Sequence, residues 1–407
     1  MMLRKKIIYP IILVAAFTGV FALGVWVGVA KIAYYVPQPG TIDFSLFWDA
    51  YQKLQQNFID SSKINNQKII YGAIEGMAKS LGDSYTGFFD PSQAQRFQQD
   101  LSGSFEGIGV EIGVKKDTLT VVAPLPGTPG QKAGLKSGDI IVKINDQGAI
   151  NMTTEEAVNL IRGPKGTSVT LTILRDGWNS AKDIKIIREM IIIPSMKWSL
   201  IDSDTAFIQI FQFNETLSAD FKTAALKILQ TPTKKIVLDL RDNPGGYLEV
   251  AQDIAGWFLE KNKVVVAEHF GKGQDKESPN CENLVELYDC YYYSKGPSSF
   301  ANYPIVVLIN QGSASASEIL AGALRDNRNI KLIGEKSFGK GSVQEVIDLR
   351  GGSFLKITIA KWFTPKGNSI SEVGLTPDVK ISVTDQDIEQ KKDPQLDKAL
   401  EIIKTIK

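Results

Sequence analysis

The sequence predicts an α/β protein of several domains preceded by a membrane anchor, and three observations carry that prediction. Beyond residue 205, continuous apolar runs alternate with segments of helical period, the pattern of a largely parallel sheet covered on both faces. Between residues 105 and 173 the apolar period drops to two around a single helix, which describes a small β-rich module. At the N-terminus Arg4-Lys5-Lys6 precedes a run over 7–30 that carries no charge. At about 1.5 Å per residue such a run crosses a hydrocarbon core of about 30 Å.

The elements follow in order. Residues 1–36 are expected to form the anchor. Trp26, Tyr34 and Tyr35 fall toward its far end, where aromatic side chains sit at the interface, and the positive flank keeps the N-terminus in the cytoplasm. That orientation places the rest of the chain outside the cytoplasm. A cleaved signal peptide is the rival reading, but its apolar stretch would be shorter and end in small residues. Val36-Pro-Gln-Pro-Gly40 reads as a stiff spacer. The region 37–102 is expected to be helical, with packing faces at Phe44, Phe47, Tyr51 and Leu54 and at Ile70, Ile74, Met77 and Leu81. Residues 83–91 read as a turn. In the module over 103–190, Val110, Ile112 and Val114 alternate on one strand and Val169, Leu171 and Ile173 on another. The helix between them opens on Thr153 with Glu156 three residues on, a capping box, and stops at Gly163-Pro164.

The domain over 191–385 begins with a strand near 206–213 and a helix near 218–230. A strand over 235–240, a helix over 247–259 and a strand over 263–268 come next. A buried strand over 305–309 then leads into a helix reaching about 325. A terminal helix lies within 386–407, and no internal repeat is evident.

Composition bounds the function. With 407 residues, 43% of them hydrophobic, the chain can bury two or three cores. A net charge of +1 gives no bulk electrostatic case for nucleic acid. One histidine and two cysteines make a zinc site a poor expectation. Cys281 and Cys290 lie in a polar, Tyr-rich stretch that reads as a surface insertion. They fit a local disulfide outside the cytoplasm or two free thiols.

Two segments carry chemistry. Gly312-Ser-Ala-Ser-Ala-Ser-Glu-Ile319 follows a buried strand and starts a helix. A helix N-terminus offers unpaired N–H groups and partial positive charge, so a serine there can attack a carbonyl while amides hold the oxyanion. Ser313, Ser315 and Ser317 compete for that role, and plain N-capping competes with all three. Phe338-Gly-Lys-Gly-Ser-Val-Gln344 sets Lys340 in a glycine-flanked turn. Lysine becomes a base only when its ammonium is destabilised, as burial does. Gln344 is four residues on, on the same face of an extended strand. Asp242-Asn-Pro-Gly-Gly246 follows another buried strand, and its glycines can turn amides toward a substrate. His269 stands far from these segments in sequence, which favours a surface role over a Ser–His pair.

The ordered set of Gly107-Ile-Gly-Val110, Ala133-Gly-Leu-Lys-Ser-Gly-Asp139, Leu238-Asp-Leu-Arg-Asp-Asn-Pro-Gly-Gly246 and the two segments above resembles the carboxyl-terminal processing peptidases, the tail-specific serine proteases. The resemblance covers nearly the whole chain after the anchor. It implies a crotonase/ClpP-like protease core with an inserted PDZ domain. It also implies Ser315 as nucleophile, Lys340 as base and Gln344 as the residue orienting the lysine. Ala316 with Gly245 or Gly246 would form the oxyanion hole. Gly107, Ile108, Gly109 and Val110 would bind a peptide C-terminus, and Arg162 would be a gating contact. Asp326, eleven residues beyond Ser315, lies ~16 Å along the helix, so support for the helix or the lysine loop is expected, not proton transfer. No metal or cofactor is implied. The expected partners are proteins with exposed C-terminal tails and the membrane, with a homo-oligomer left open. A PDZ-based adaptor without turnover is the alternative from another class.

Overall fold

The computed structural model describes residue 18 and residues 42–115, 118–125, 127–150, 152–271, 281–284 and 287–406. Apart from Thr18, the anchor expected over 1–36 lies outside the described residues. No helix among the described residues is long and apolar enough to cross a membrane. The chain divides into two compact units between Ile70 and Tyr71.

Helix α1 (Ser45–Asn57) has no buried residue. Its expected packing face is open to solvent, with Phe44 and Leu54 more than half exposed. The Phe47 and Trp48 rings meet each other, 5.1 Å apart, in place of a core. Helix α2 (Asn66–Lys79) buries Ala78. Its packed face is rotated from the expected one. Tyr71 meets Phe88 at 5.3 Å, whereas Met77 and Leu81 are exposed.

Residues 83–91 are more than a turn. Strand β1 (Gly87–Phe89) is followed by helix α3 (Pro91–Ser102). Asp90 caps α3 by accepting from Gln93 N at 2.9 Å, and Gln93 Oε1 accepts from Asp90 N at 3.1 Å. Pro91 at the first helical position completes this start signal.

The β-rich module opens with β2 (Ser104–Gly107), β3 (Val110–Lys115), β4 (Thr118–Pro124) and β5 (Ile140–Ile144). It continues through α4 (Thr154–Ile161), β6 (Ser168–Leu174), β7 (Lys182–Ile187) and β8 (Glu189–Ile192). Strands β3 to β7 form an antiparallel sheet in chain order, with β3 at one edge. Val121, Ile144, Val169, Leu171 and Ile173 pack against Ala157 and Ile161 of α4. The predicted capping box is present, with Thr153 N donating to Glu156 Oε2 at 2.8 Å. Strands β2 and β8 pair with each other and close the neck where the module joins the rest of its unit.

The remaining domain begins with β9 (Met196–Leu200), β10 (Thr205–Ile210), α5 (Leu217–Ile228), β11 (Lys235–Asp239) and α6 (Leu248–Phe258). It continues with β12 (Val264–Phe270), β13 (Cys281–Leu284), β14 (Leu287–Tyr293), β15 (Ile305–Ile309) and α7 (Ala316–Arg328). It ends with β16 (Lys331–Gly334), β17 (Ser342–Asp348), β18 (Phe354–Phe363), β19 (Val379–Lys380) and α8 (Pro394–Thr405). The sheet β9-β10-β11-β15-β16-β19 is parallel except for β9. Helices α5, α6 and α7 bury Phe221, Ile254 and Leu320 on one face. Ala399 and Ile403 of α8 cover Val237, Val306 and Leu308 on the other. Burial on both faces explains the unbroken apolar runs of β11 and β15.

Strand β12 departs from the expected parallel alternation. It belongs to a second, antiparallel sheet built around β18, which pairs with β1, β12 and β17. Strand β14 continues that sheet from β12 to β13. Cys290 is disulfide-bonded, and the one other cysteine, Cys281, stands opposite it in the β13–β14 register.

Candidate active site

The carboxyl ends of β11 and β15 run into the two turns that build the site, where ligands collect in parallel sheets. The turns are laced together. Asn310 Oδ1 accepts from Asp242 N at 2.9 Å, and its amide donates to Asp242 Oδ1 at 2.8 Å. Ala314 N donates to Asn243 O at 3.0 Å.

This lacing separates the three serines. Ser313 is fully buried and donates to Leu240 O at 2.7 Å. Ser317 is fully buried and donates to Asn243 O at 2.9 Å. Ser315 alone of the three lines a cavity of about 450 Å³. Its φ of 54° is a strained value for a residue with a Cβ. A sharp, strained turn from strand to helix is the device that lifts a serine hydroxyl above its surroundings.

Lys340 and Gln344 line the same cavity, with Gly245, Gly246, Tyr292 and Lys356. Phe338 N donates to Ser313 O at 3.0 Å, tying the lysine loop to the serine turn. The stronger tie is Glu318, which is buried beneath both. Its carboxylate accepts from Ser315 N (2.9 Å), Ser337 Oγ (2.6 Å), Gly339 N (2.8 Å) and Lys340 N (3.0 Å). Burial pushes the Glu318 carboxyl above its ordinary value, opposed by these four donors. Burial also pushes the Lys340 amine below its ordinary value, opposed by the charge of Glu318. Sequence reasoning missed Glu318 as the hub. The Ser315-Ala-Ser-Glu318 spacing of a capping box was its visible signal.

No hydrogen bond among the described residues joins Lys340 Nζ to Ser315 Oγ. The Gln344 amide does not reach the lysine either. It donates to Ser342 O at 3.0 Å and Ser342 Oγ at 2.7 Å. Ser342, two residues earlier on the same face of β17, intercepts the amide.

Gly245 sits against the serine. A Cβ there would come within 2.7 Å of Ser315 Cβ and 2.9 Å of Ala316 N, and its φ is +100°. Its amide is engaged by Asn243 Oδ1 at 2.9 Å. The Ala316 and Gly246 amides have no hydrogen-bond partner among the described residues. Asp326 braces α7 and not the lysine loop: Oδ2 accepts from Lys366 N at 3.0 Å. His269 stacks on Phe363 at 4.0 Å and faces Asp289 at 3.5 Å, outside the cavity lining.

In the β-rich module, Gly109 turns at φ +66°. Its carbonyl accepts from Leu125 N at 2.9 Å, and Ile108 O accepts from Gly130 N at 2.7 Å. The Ile108 and Gly109 amides have no partner among the described residues. They lie just before the open edge of β3, with α4 packed alongside. Arg162 does not contact the catalytic cavity; its guanidinium lies 4.4 Å above the Phe105 ring.

The β-rich module and the domain that follows it both match known families. Residues 204–381 match the model of peptidase family S41, and residues 120–175 match the model of the PDZ domain. The chain is 38% identical over 340 residues to a carboxy-terminal-processing protease of Bartonella bacilliformis, covering 82% of this chain and 74% of that one. It is 33% identical over 382 residues to the carboxy-terminal processing protease CtpA of Bacillus subtilis, covering 94% and 78%. Among solved structures it is similar to a photosystem II D1 C-terminal processing protease. That likeness has a TM-score of 0.50 and 26% identity, over 83% of this chain and 92% of that one. An S41 protease from Bacteroides fragilis shares the fold, with a TM-score of 0.56 and 16% identity over 92% of this chain and the whole of that one. The chain belongs to peptidase family S41 and is a carboxy-terminal-processing serine protease that carries a PDZ domain.

Proposed function

We propose that Ser315 is the nucleophile and Lys340 its general base. The observation that carries this is the separation of the serines: Ser313 and Ser317 are buried and hydrogen-bonded, while Ser315 faces the cavity that Lys340 lines. Ser315 Oγ attacks the scissile carbonyl as Lys340 Nζ takes its proton. Lys340 then gives that proton to the leaving amine. Water attacks the acyl-serine, loses a proton to Lys340, and the acid leaves as Ser315 is reprotonated. The amides of Ala316 and Gly246 are the free donors for the oxyanion, since that of Gly245 is already engaged. Gln344 orients Lys340 only after its amide leaves Ser342, a side-chain rotation that substrate binding would drive.

The loop over Gly107, Ile108, Gly109 and Val110 receives the substrate's terminal carboxylate on the free amides. The tail adds as a strand beside β3 and along α4. The functional boundaries are residues 37–102 for the helical region, 103–190 for the PDZ domain and 191–385 for a crotonase/ClpP-like protease core. The uncharged run over 7–30 anchors the chain with the N-terminus cytoplasmic and the protease on the extracytoplasmic side.

Products of an unstructured protein with an apolar tail, identified by mass spectrometry, test this reading. Wild type should cleave near the tail and prefer the free carboxylate to an amidated end. Ser315→Ala and Lys340→Ala should both be inactive. Turnover by either variant would contradict the assignment, and indifference to amidation would contradict the PDZ role.

A further inference from the structure

The mechanism above leaves one cation of the cavity unused. Lys356 lies on β18, opposite Gly87 of β1 and Val346 of β17. Its ammonium is 5.1 Å from the centre of the Phe89 ring and 5.6 Å from that of Phe97. Phe89, Phe97 and Phe354 pack on one another beneath it, with centroids 4.6 to 5.4 Å apart. Lys356 lines both the cavity of Ser315 and Lys340 and a second cavity of about 800 Å³. Tyr85, Arg96, Val158 and Arg162 line the second cavity as well. Among the described residues the Lys356 ammonium makes no ion pair or hydrogen bond. A half-buried cation without a carboxylate in direct contact is costly and asks for a reason.

We propose that Lys356 is a positioning residue for hydrolysis, its positive charge disfavouring a second one on Lys340 Nζ and so keeping that amine free to accept a proton. This rests on the reading of Ser315 and Lys340 as nucleophile and base. Two amines in one half-buried cavity cannot both stay charged cheaply. The surroundings decide which of the two keeps the proton. Phe89 and Phe97 offer ring faces to Lys356, which favour a cation, and Asp83 also acts to hold its charge. Lys340 has one ring nearby, Tyr85 at 5.9 Å. Glu318 faces it from α7 and favours its charged form, a pull that burial of the amine outweighs.

The other ionisable groups around the pair belong to separate elements. Asp83 and Tyr85 precede β1, Arg96 is on α3, and Glu249 on α6, Glu268 on β12 and Tyr292 on β14 line the catalytic cavity. Glu372 acts on Tyr85 from the segment after β18. Across the larger cavity stand Arg162 and the Glu75–Lys79 pair, the latter at 2.6 Å. The two amines are coupled: repulsion from Lys340 adds to burial in lowering Lys356, opposed by Asp83.

The test is the pH dependence of kcat/KM for the full chain and its Lys356→Met, Lys356→Gln, Lys356→Arg and Lys340→Ala variants. Activity needs neutral Lys340, so it rises with pH through the acid limb. Without the Lys356 charge that limb should move up by about one pH unit, a roughly tenfold loss of activity below the wild-type midpoint. The alkaline plateau should persist, and Lys356→Arg should keep the wild-type limb. Thermal unfolding identifies a misfolded variant, and either neutral variant that folds decides the matter. An unmoved limb, a loss equal at every pH, or an Arg variant behaving like Met would each overturn the proposal. Wild-type activity in Lys340→Ala would instead overturn the underlying assignment of the base.

Discussion

Replacing Glu318 by Gln tests the hub of the site. The carboxylate takes four donors, two on each oxygen: Ser337 Oγ and Gly339 N on Oε1, Ser315 N and Lys340 N on Oε2. Glutamine offers one acceptor oxygen. Its better orientation aims the NH2 at Ser337 Oγ, which already accepts from Leu375 N and must turn its own hydrogen away, and leaves Gly339 N stranded. One stranded buried donor costs about 1–3 kcal/mol. Losing the charge assistance of the other bonds adds about 1 kcal/mol more. A total of about 3 kcal/mol corresponds to a fall in Tm of about 6–12 °C for a domain of this size. Measurement in a Ser315→Ala background prevents self-cleavage. In the active background, relaxation of both loops should lower kcat by roughly 10²-fold, the cost of an ångström-scale misplacement. The acid limb of the rate profile should move down. Glu318 opposes the depression of Lys340, so removing its charge lowers that amine further. An unchanged Tm with unchanged kcat, or a limb that moves up, would refute the reasoning.

Three further outcomes follow from the same contacts. Ser313→Ala strands Asn310 N, which donates to Ser313 Oγ at 3.0 Å, so it should cost about 1–3 kcal/mol of stability while turnover survives in the folded fraction. Arg241→Met removes the buried cation that bonds Asp239 at 2.8–2.9 Å and Asp393 at 2.8 Å; it should destabilise by about 3–5 kcal/mol and expose α8 to limited proteolysis first. His269→Ala, which removes a ring stacked on Phe363 outside the cavity, should leave kcat/KM within about twofold, and a complete loss would restore the case for a Ser–His pair.

The parallel sheet was legible because Ile236, Val237 and Leu238 of β11 and the whole of β15 are buried on both faces and read as apolar runs, the buried Asp239 at the end of β11 being held by Arg241. The capping box at Thr153 made α4 legible for a local reason: its donors and acceptors lie within four residues. Helix α3 carried an equally local signal at Asp90, Pro91 and Gln93. Its glutamine-rich body hid the apolar period that usually prompts the search. The second sheet was not legible, because β1 pairs with a strand some 270 residues later and no local pattern encodes that partner.

At the site, residue types and spacing singled out the two loops but left three serines equivalent. Only tertiary burial of Ser313 and Ser317 separates them physically. The distance along a helix placed Asp326 away from the chemistry. Its actual partner, Lys366 N, comes from a turn that follows β18. Gln344 is on the expected strand, but its amide is taken up by Ser342, two residues earlier on the same face. Lys356 gave no sign in the sequence, because its neighbours are assembled from β1, α3 and β18.

The central claim is that Ser315 is activated by an uncharged Lys340, and covalent labelling tests it most directly. Wild type and Lys340→Ala would be treated with a serine-directed fluorophosphonate across pH and the adduct located by peptide mass spectrometry. A single adduct on Ser315, forming faster as pH rises and at least about 10²-fold slower in Lys340→Ala, is the predicted result. An adduct on Ser313 or Ser317, or labelling of Ser315 at the wild-type rate without Lys340, would contradict it.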